Sequence, residues 1–169
     1  GTKNMGLYSF PKDSVNTEIL KKPVYCNRYS EFSNFSISAI CSYQGNIWVG
    51  TEKNGIYHIN KTNKSGARVN KVNLRLPSQN VWCIELYNDT LFVGSETGLS
   101  VIDLKSGKLE DFLQRPKEAN HFNNIIRAIT RDKNGDIWVG TQEDGIYRMT
   151  FLNGKVSIKH YKSQSYDSA

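Results

Sequence analysis

The apolar residues of this chain fall into short runs closed by Gly paired with Asn, Asp, Ser or Gln. Toward the C-terminal end the runs are "IIRAITRD" (Ile125 to Asp132), "DIWVGTQ" (Asp136 to Gln142), "IYRMTF" (Ile146 to Phe151) and "KVSIKHY" (Lys155 to Tyr161). Between them stand Asn134-Gly135, Asp144-Gly145 and Asn153-Gly154, pairs that tolerate the positive φ of tight hairpin turns. The pattern predicts four consecutive antiparallel strands. Ser106-Gly107 in the middle of the chain, and Gln44-Gly45 and Ser65-Gly66 before it, mark corresponding turns.

The second run of the set recurs. "GNIWVGT" (Gly45 to Thr51), "DTLFVGS" (Asp89 to Ser95) and "GDIWVGT" (Gly135 to Thr141) share a turn residue, an aliphatic residue, an aromatic, Val, Gly and a hydroxyl. They lie roughly 45 residues apart, a period that signals a repeat architecture. The first residues, "GTKNMGLYSF", align with Gly50 to Ile59, so the chain is expected to begin inside a repeat. The core runs "IWVG" and "LFVG" are continuously apolar rather than alternating, which predicts strands buried on both faces.

A four-stranded meander of about 45 residues, repeated and buried on both faces, predicts an all-β fold: a β-propeller fragment of about three and a half antiparallel blades. The expected division is residues 1–34 for the last two strands of a preceding blade (Gly6 to Phe10 and Glu18 to Tyr25) plus a connection. Blades follow at 35–77, 78–118 and 119–169, all one propeller segment. Trp48, Phe92 and Trp138 are expected to fill the wedges between blades. Gly50, Gly94 and Gly140 are expected to let backbones approach closely. These six residues read as repeat core without chemistry. An open arc leaves an apolar blade face of roughly 300 Å² at each end. The remaining blades of a parent chain, or another copy of this one, are therefore expected as partners.

Composition narrows the function. The chain has 169 residues, 38% hydrophobic and 22% charged, with a net charge of +6. Its Lys and Arg are scattered, which argues against nucleic acid as a partner. No apolar run approaches the roughly 18 residues of a membrane span. Cys26, Cys41 and Cys83 have no metal-binding spacing and do not cluster with His58, His121 or His160. Cys41 and Cys83 read as buried free thiols. No metal or cofactor is expected. Nucleophile motifs are missing, and Glu85 and Asp132 read as surface residues near strand ends, so catalysis by this segment is not expected.

In a propeller the connections into first strands and those between second and third strands open on one rim. Here they include Ser78 to Trp82, Asn120 to Arg127, Glu52 to Asn54 and Gln142 to Asp144. Ser38, Trp82 and Arg127 occupy one repeat position, and its variation frees it from a common packing role. Trp stacks on sugar faces and Arg binds hydroxyls or a carboxylate. Trp82 and Arg127 are thus candidate ligand contacts, followed by Asn124, His121 and Asn80. Packing of Trp82 on the next blade and solvation of Arg127 is the competing reading.

The run "ITRDKNGDIWVGTQEDGIYRM" (Ile129 to Met149) resembles the regulator-propeller repeat of hybrid two-component sensors of gut Bacteroidetes, through Ile129, Asp132, Gly135, Ile137, Trp138, Val139, Gly140, Thr141, Gly145 and Ile146. The first repeat departs with Ser42 where Asp is usual. The middle one departs further, with Asn88-Asp89 at its turn and Phe92 for Trp. The resemblance implies a parent anchored in the inner membrane, with a periplasmic sensing region and, behind the membrane, a histidine kinase, a receiver and a DNA-binding regulator. It implies that this segment senses an oligosaccharide and has no catalysis of its own. A protein-interaction scaffold is the alternative.

Overall fold

Tight turns define the strands. Gln44 and Gly45 take φ of 49° and 77°, and Asn153 and Gly154 take 51° and 72°. Two consecutive positive values match the right-handed twist of the strands they join. The computed structural model describes residues 6–9, 27–62, 66–72, 76–105, 108–109 and 122–162. Strands β1 (Leu7–Ser9) and β2 (Asn27–Tyr29) form a two-stranded sheet. A 3-10 turn at Ser30–Phe32 leads out of it. Three four-stranded antiparallel sheets follow. The first holds β3 (Ile37–Tyr43), β4 (Asn46–Thr51), β5 (Gly55–Thr62) and β6 (Gly66–Lys71) in that order. The second holds β7 (Val81–Tyr87), β8 (Thr90–Ser95), β9 (Gly98–Asp103) and β10 (Lys108–Leu109). The third holds β11 (Ile126–Arg131), β12 (Ile137–Thr141), β13 (Ile146–Leu152) and β14 (Lys155–Tyr161). Each sheet pairs strands in sequence order, as a propeller blade does. We refer to the three as blades 1, 2 and 3.

The partner of β1 among the described residues is β2 at Asn27–Tyr29, downstream of the expected Glu18 to Tyr25. That expected segment lies outside the described residues, as do Cys26, Ser65, Ser106 and Gly107.

The blades stack face to face on three apolar clusters. Leu7 and Phe32 meet Val49 and Ile59 of blade 1. Ile56 of blade 1 meets Val81, Ile84, Leu86, Leu91, Val93 and Ile102 of blade 2. Phe92, Leu99 and Val101 of blade 2 meet Ile126, Ile129, Ile137, Val139, Tyr147 and Met149 of blade 3. Blade 2 is covered on both sides, so Leu91 to Ser95 are buried without interruption. The continuous apolar run reports that double burial.

The glycines of the first two core runs make the stacking close. A Cβ on Gly50 would stand 2.7 Å from Cγ1 of Val81, and one on Gly94 would stand 2.6 Å from Cγ2 of Ile126. Val81 and Ile126 each open the first strand of the following blade, so each such glycine seats a branched side chain from its neighbour. On Gly140 a Cβ would approach nothing among the described residues closer than Ala128, at 3.7 Å.

Two sequence expectations are corrected at the first hairpin of each blade. Asn134-Gly135 is not a two-residue turn: Lys133, Asn134 and Gly135 form the loop, only Gly135 of them has positive φ, and the Gly135 N–H donates to the Asp132 carbonyl at 3.1 Å. The longer loop also moves the correspondence. Asp132 sits opposite Asp136, as Tyr43 sits opposite Asn46 and Tyr87 opposite Thr90. Tyr43, not Ser42, therefore takes the place of the aspartate in blade 1.

Candidate functional site

The first strands β3, β7 and β11 share one irregularity. Each breaks register with its partner between its first and third residues, at Ile37/Ala39, Val81/Cys83 and Ile126/Ala128. The extra residue of each bulge is Ser38, Trp82 or Arg127. A bulge leaves one residue outside the ladder and re-aims its side chain. This frees the position from a common packing role and lets it hold three unlike side chains.

Two of the three meet. The Arg127 guanidinium carbon lies 4.7 Å from the centroid of the Trp82 ring, a cation–π stack between blades 3 and 2. Arg127 Nε donates to Gln142 Oε1 at 3.0 Å, and Nη2 donates to the same oxygen. Gln142 follows β12, and its own N–H donates to the Ile125 carbonyl at 2.9 Å, which ties it to the lead-in of β11. Stacking and hydrogen bonding thus hold an exposed guanidinium in place. Among the described residues no carboxylate pairs with it.

Beside it lies a second network on the same rim. Ser78 Oγ donates to Glu96 Oε1 at 2.9 Å, and Asn80 Nδ2 donates to Glu96 Oε2 at 3.1 Å. The Asn80 N–H donates to Ser78 Oγ at 2.9 Å, shaping the approach to β7. The rim is a real edge of the fold: the Gly55 N–H donates to the Gln79 carbonyl at 2.9 Å, joining a blade 1 turn to the lead-in of blade 2.

Three buried side-chain polar atoms among the described residues have no hydrogen-bond partner: Ser38 Oγ, Asn80 Oδ1 and Trp82 Nε1. Ser38 and Trp82 are the bulge residues of blades 1 and 2, and Asn80 leads into the second bulge. Buried polar groups are nearly always paired, so their occurrence at and beside the bulges marks these strand starts as different from the rest of the fold.

Trp82, Arg127 and Asn80 therefore come together on one rim. Asn124 is half-buried in the lead-in to β11 and, among the described residues, hydrogen-bonds none of these side chains. His121 lies outside the described residues. Glu96 and Gln142 join the site, and their signal is positional. They occupy the place just after the hydroxyl of the core run, where blade 1 has Glu52.

The two carboxylates read as surface residues differ from each other. Glu85 is half-buried within β7, facing Phe92 across the ladder, and burial pushes its carboxyl up against the opposing pull of Arg131. It lies two residues before the end of β7, half-buried rather than on the surface. Asp132 is structural. Trp138 Nε1 donates to its Oδ2 at 2.9 Å, while the Asn134 and Asp136 N–H groups donate to its Oδ1 at 2.8 and 3.1 Å. The indole first, then these amides, hold its carboxyl below the usual range.

Cys41 and Cys83 are free and half-buried; burial pushes their thiols up to about 12 and about 11. Among the described residues no group of three or more His, Cys, Asp or Glu side chains is arranged to hold a metal. No helix there is long and apolar enough to cross a membrane. The rim offers guanidinium and hydroxyl donors beside amide and carboxylate acceptors, which is equipment for binding a polar ligand.

Residues 120–143 match the two component regulator propeller family. No curated protein matches the chain. Among solved structures, the extracellular domain of BT4673 of B. thetaiotaomicron, described as a one component system, is 24% identical over 98% of this chain and 20% of its own, with a TM-score of 0.65. The extracellular domain of BT3049, described as a hybrid two component system of the same organism, is 22% identical over 92% of this chain and 21% of its own, with a TM-score of 0.62. PorZ, a surface component of the type-IX secretion system of Porphyromonas gingivalis, is 14% identical over 95% of this chain and 25% of its own, with a TM-score of 0.63. The chain spans about a fifth of the length of the two B. thetaiotaomicron domains. The match lies on the first two strands of blade 3 and their flanks, and the likenesses run through all the blades: the chain has the fold of a β-propeller segment, one stretch of which matches the two component regulator propeller family.

Proposed function

We propose that this chain is part of the extracellular sensing region of a membrane-anchored hybrid two-component system, exposed to the periplasm, and that it detects an oligosaccharide. The kinase and DNA-binding parts that would convert detection into control of polysaccharide-utilisation genes belong to the rest of the parent. The observation that carries this reading is the regulator propeller repeat at residues 120–143. The Trp82–Arg127 pair on the bulged rim supports it. The ring face is taken by the guanidinium, so the group offered to a ligand is the exposed, oriented Arg127, whose planar fork of donors suits sugar hydroxyls or a carboxylate.

The test is the melting temperature of the extracellular region containing this chain, measured against neutral and acidic oligosaccharides. Ligand at a hundred times Kd stabilises by about 2.7 kcal/mol, enough to move the transition visibly. A selective upward shift that Trp82→Ala and Arg127→Ala abolish is the expected result. No shift across the panel would favour the second reading, a protein-interaction scaffold. Two observations speak for that reading: the likeness in fold to a secretion-system surface component, and the open face of blade 3. We assign that face to a further blade, from the parent chain or from another copy, that seats a branched residue over Gly140.

A further inference from the structure

We propose that the Trp82–Arg127–Gln142 site recognises a carboxylate, so that its saccharide is a uronic-acid oligosaccharide rather than a neutral one. This rests on the sensing reading above and narrows it.

The argument is the hydrogen inventory of one guanidinium. Arginine has five N–H donors in a fixed plane. Nε and one hydrogen of Nη2 are directed at Gln142 Oε1. This occupies the side-on edge. The end-on edge, made of Nη1 and the second hydrogen of Nη2, has the spacing of the two oxygens of a carboxylate. Trp82 fixes the plane of the group from one face, with the guanidinium carbon 4.7 Å from the ring centroid. The cation is exposed, oriented and held by a neutral amide.

A second arginine in the same blade shows what structural use looks like. Arg148 lies 5.6 Å from the Trp138 ring centroid, and its Nε donates to the buried Asp136 carboxylate at 2.7 Å. Arg148 thus has an aromatic face and a carboxylate from its own chain. Arg127 has the aromatic face and no such carboxylate among the described residues. The net charge of +6 favours the approach of an anion.

The experiment is calorimetric titration of the extracellular region containing this chain with trigalacturonic acid and with its methyl ester, which keeps the sugar and removes the charge. The acid binds and the ester binds at least about tenfold more weakly, the loss expected for a charge-assisted pair. Arg127→Gln and Arg127→Lys each reproduce the loss, because lysine keeps the charge without the planar fork. Gln142→Glu gives the same loss by a separate route, placing a carboxylate of the chain on the guanidinium. Unchanged melting of each variant excludes misfolding as the cause. Equal affinity for acid and ester would overturn the carboxylate assignment and leave saccharide sensing standing. Binding of a sulfated disaccharide that Arg127→Lys leaves unaffected would overturn it in favour of simple charge attraction. Failure of acid, ester and neutral oligosaccharides alike would remove the sensing reading together with this one.

Discussion

Blade 2 turns one face to blade 3, and blade 3 turns the equivalent face outward. The residues correspond strand by strand: Phe92 with Trp138, Gly94 with Gly140, Leu99 with Ile146. Leu99 is 9% exposed and its blade 1 counterpart, Ile56, 0%, whereas Ile146 is 46% exposed. Gly94 is pressed by Ile126, and Gly140 by nothing among the described residues closer than Ala128. The open face is also more polar. Trp138 stacks on Tyr161 at 5.7 Å, and Lys159 stands 5.0 Å from the Tyr161 ring. Phe92, on the covered face, is fully buried and packs edge-on against Phe151 of blade 3. The same repeat position is therefore worth different amounts according to whether another blade covers it. The sequence motif records the capacity for stacking, not its fulfilment.

The sharpest way to break this comparison is truncation at the matched aliphatic positions. Ile56→Ala removes a fully buried side chain between blades and should cost about 2–5 kcal/mol in urea unfolding. Ile146→Ala on the open face should stay within about 0.5 kcal/mol. Equal costs would mean that the face of blade 3 is covered in solution.

The glycines give a smaller and more specific contrast. Gly94→Ala places a Cβ 2.5 Å from Cys83 Sγ and 2.6 Å from Ile126 Cγ2. It should lower stability by about 1–3 kcal/mol through overpacking. Gly140→Ala meets only ordinary contacts and should be close to neutral in this chain. Placed in a longer parent it should become as costly as Gly94→Ala, since a further blade would then press on it. Thermal melts of both substitutions in both contexts decide the point.

The smallest effect is a response to acid confined to blade 3. The carboxyl of Asp132 is held below its ordinary value by the Trp138 indole and two backbone amides. Its contribution is fully present above the unfolded value near 3.8 and is lost as pH falls through the lowered folded value. Blades 1 and 2 have Tyr43 and Tyr87 at this place, so their first hairpins lack this linkage. The Trp138 indole N–H should lose protection from hydrogen exchange at acid pH while the Trp48 signal does not follow. Asp132→Asn should remove the pH dependence.

The legible part of the molecule is the part governed by local rules. Lys155–Tyr161 is read from the sequence with the bounds it has in the fold, because Asn153-Gly154 fixes the turn and the register behind it. Asn134-Gly135 looks the same in sequence and behaves differently, because Asp132 captures the Asn134 and Asp136 amides and lengthens the loop. The Trp138 indole, arriving from the adjacent strand, takes the other oxygen of the same carboxylate. The candidate site was half legible. Trp82 and Arg127 stand out as the variable members of one repeat position, and Glu96 and Gln142 share a position just after the core run. Their pairing across blades 2 and 3 could not be read, since it joins residues 45 apart through a stack and a bulge.

The sequence by itself determined the repeat, the strand order and the residues that can stack, because turn chemistry and apolar patterning act over a few residues at a time. Only the tertiary structure decided which faces are covered and which bulge residues meet. Those outcomes depend on where one blade sits against the next: the short-range pattern of blade 3 closely repeats that of blade 1, and the two differ in what lies beside them.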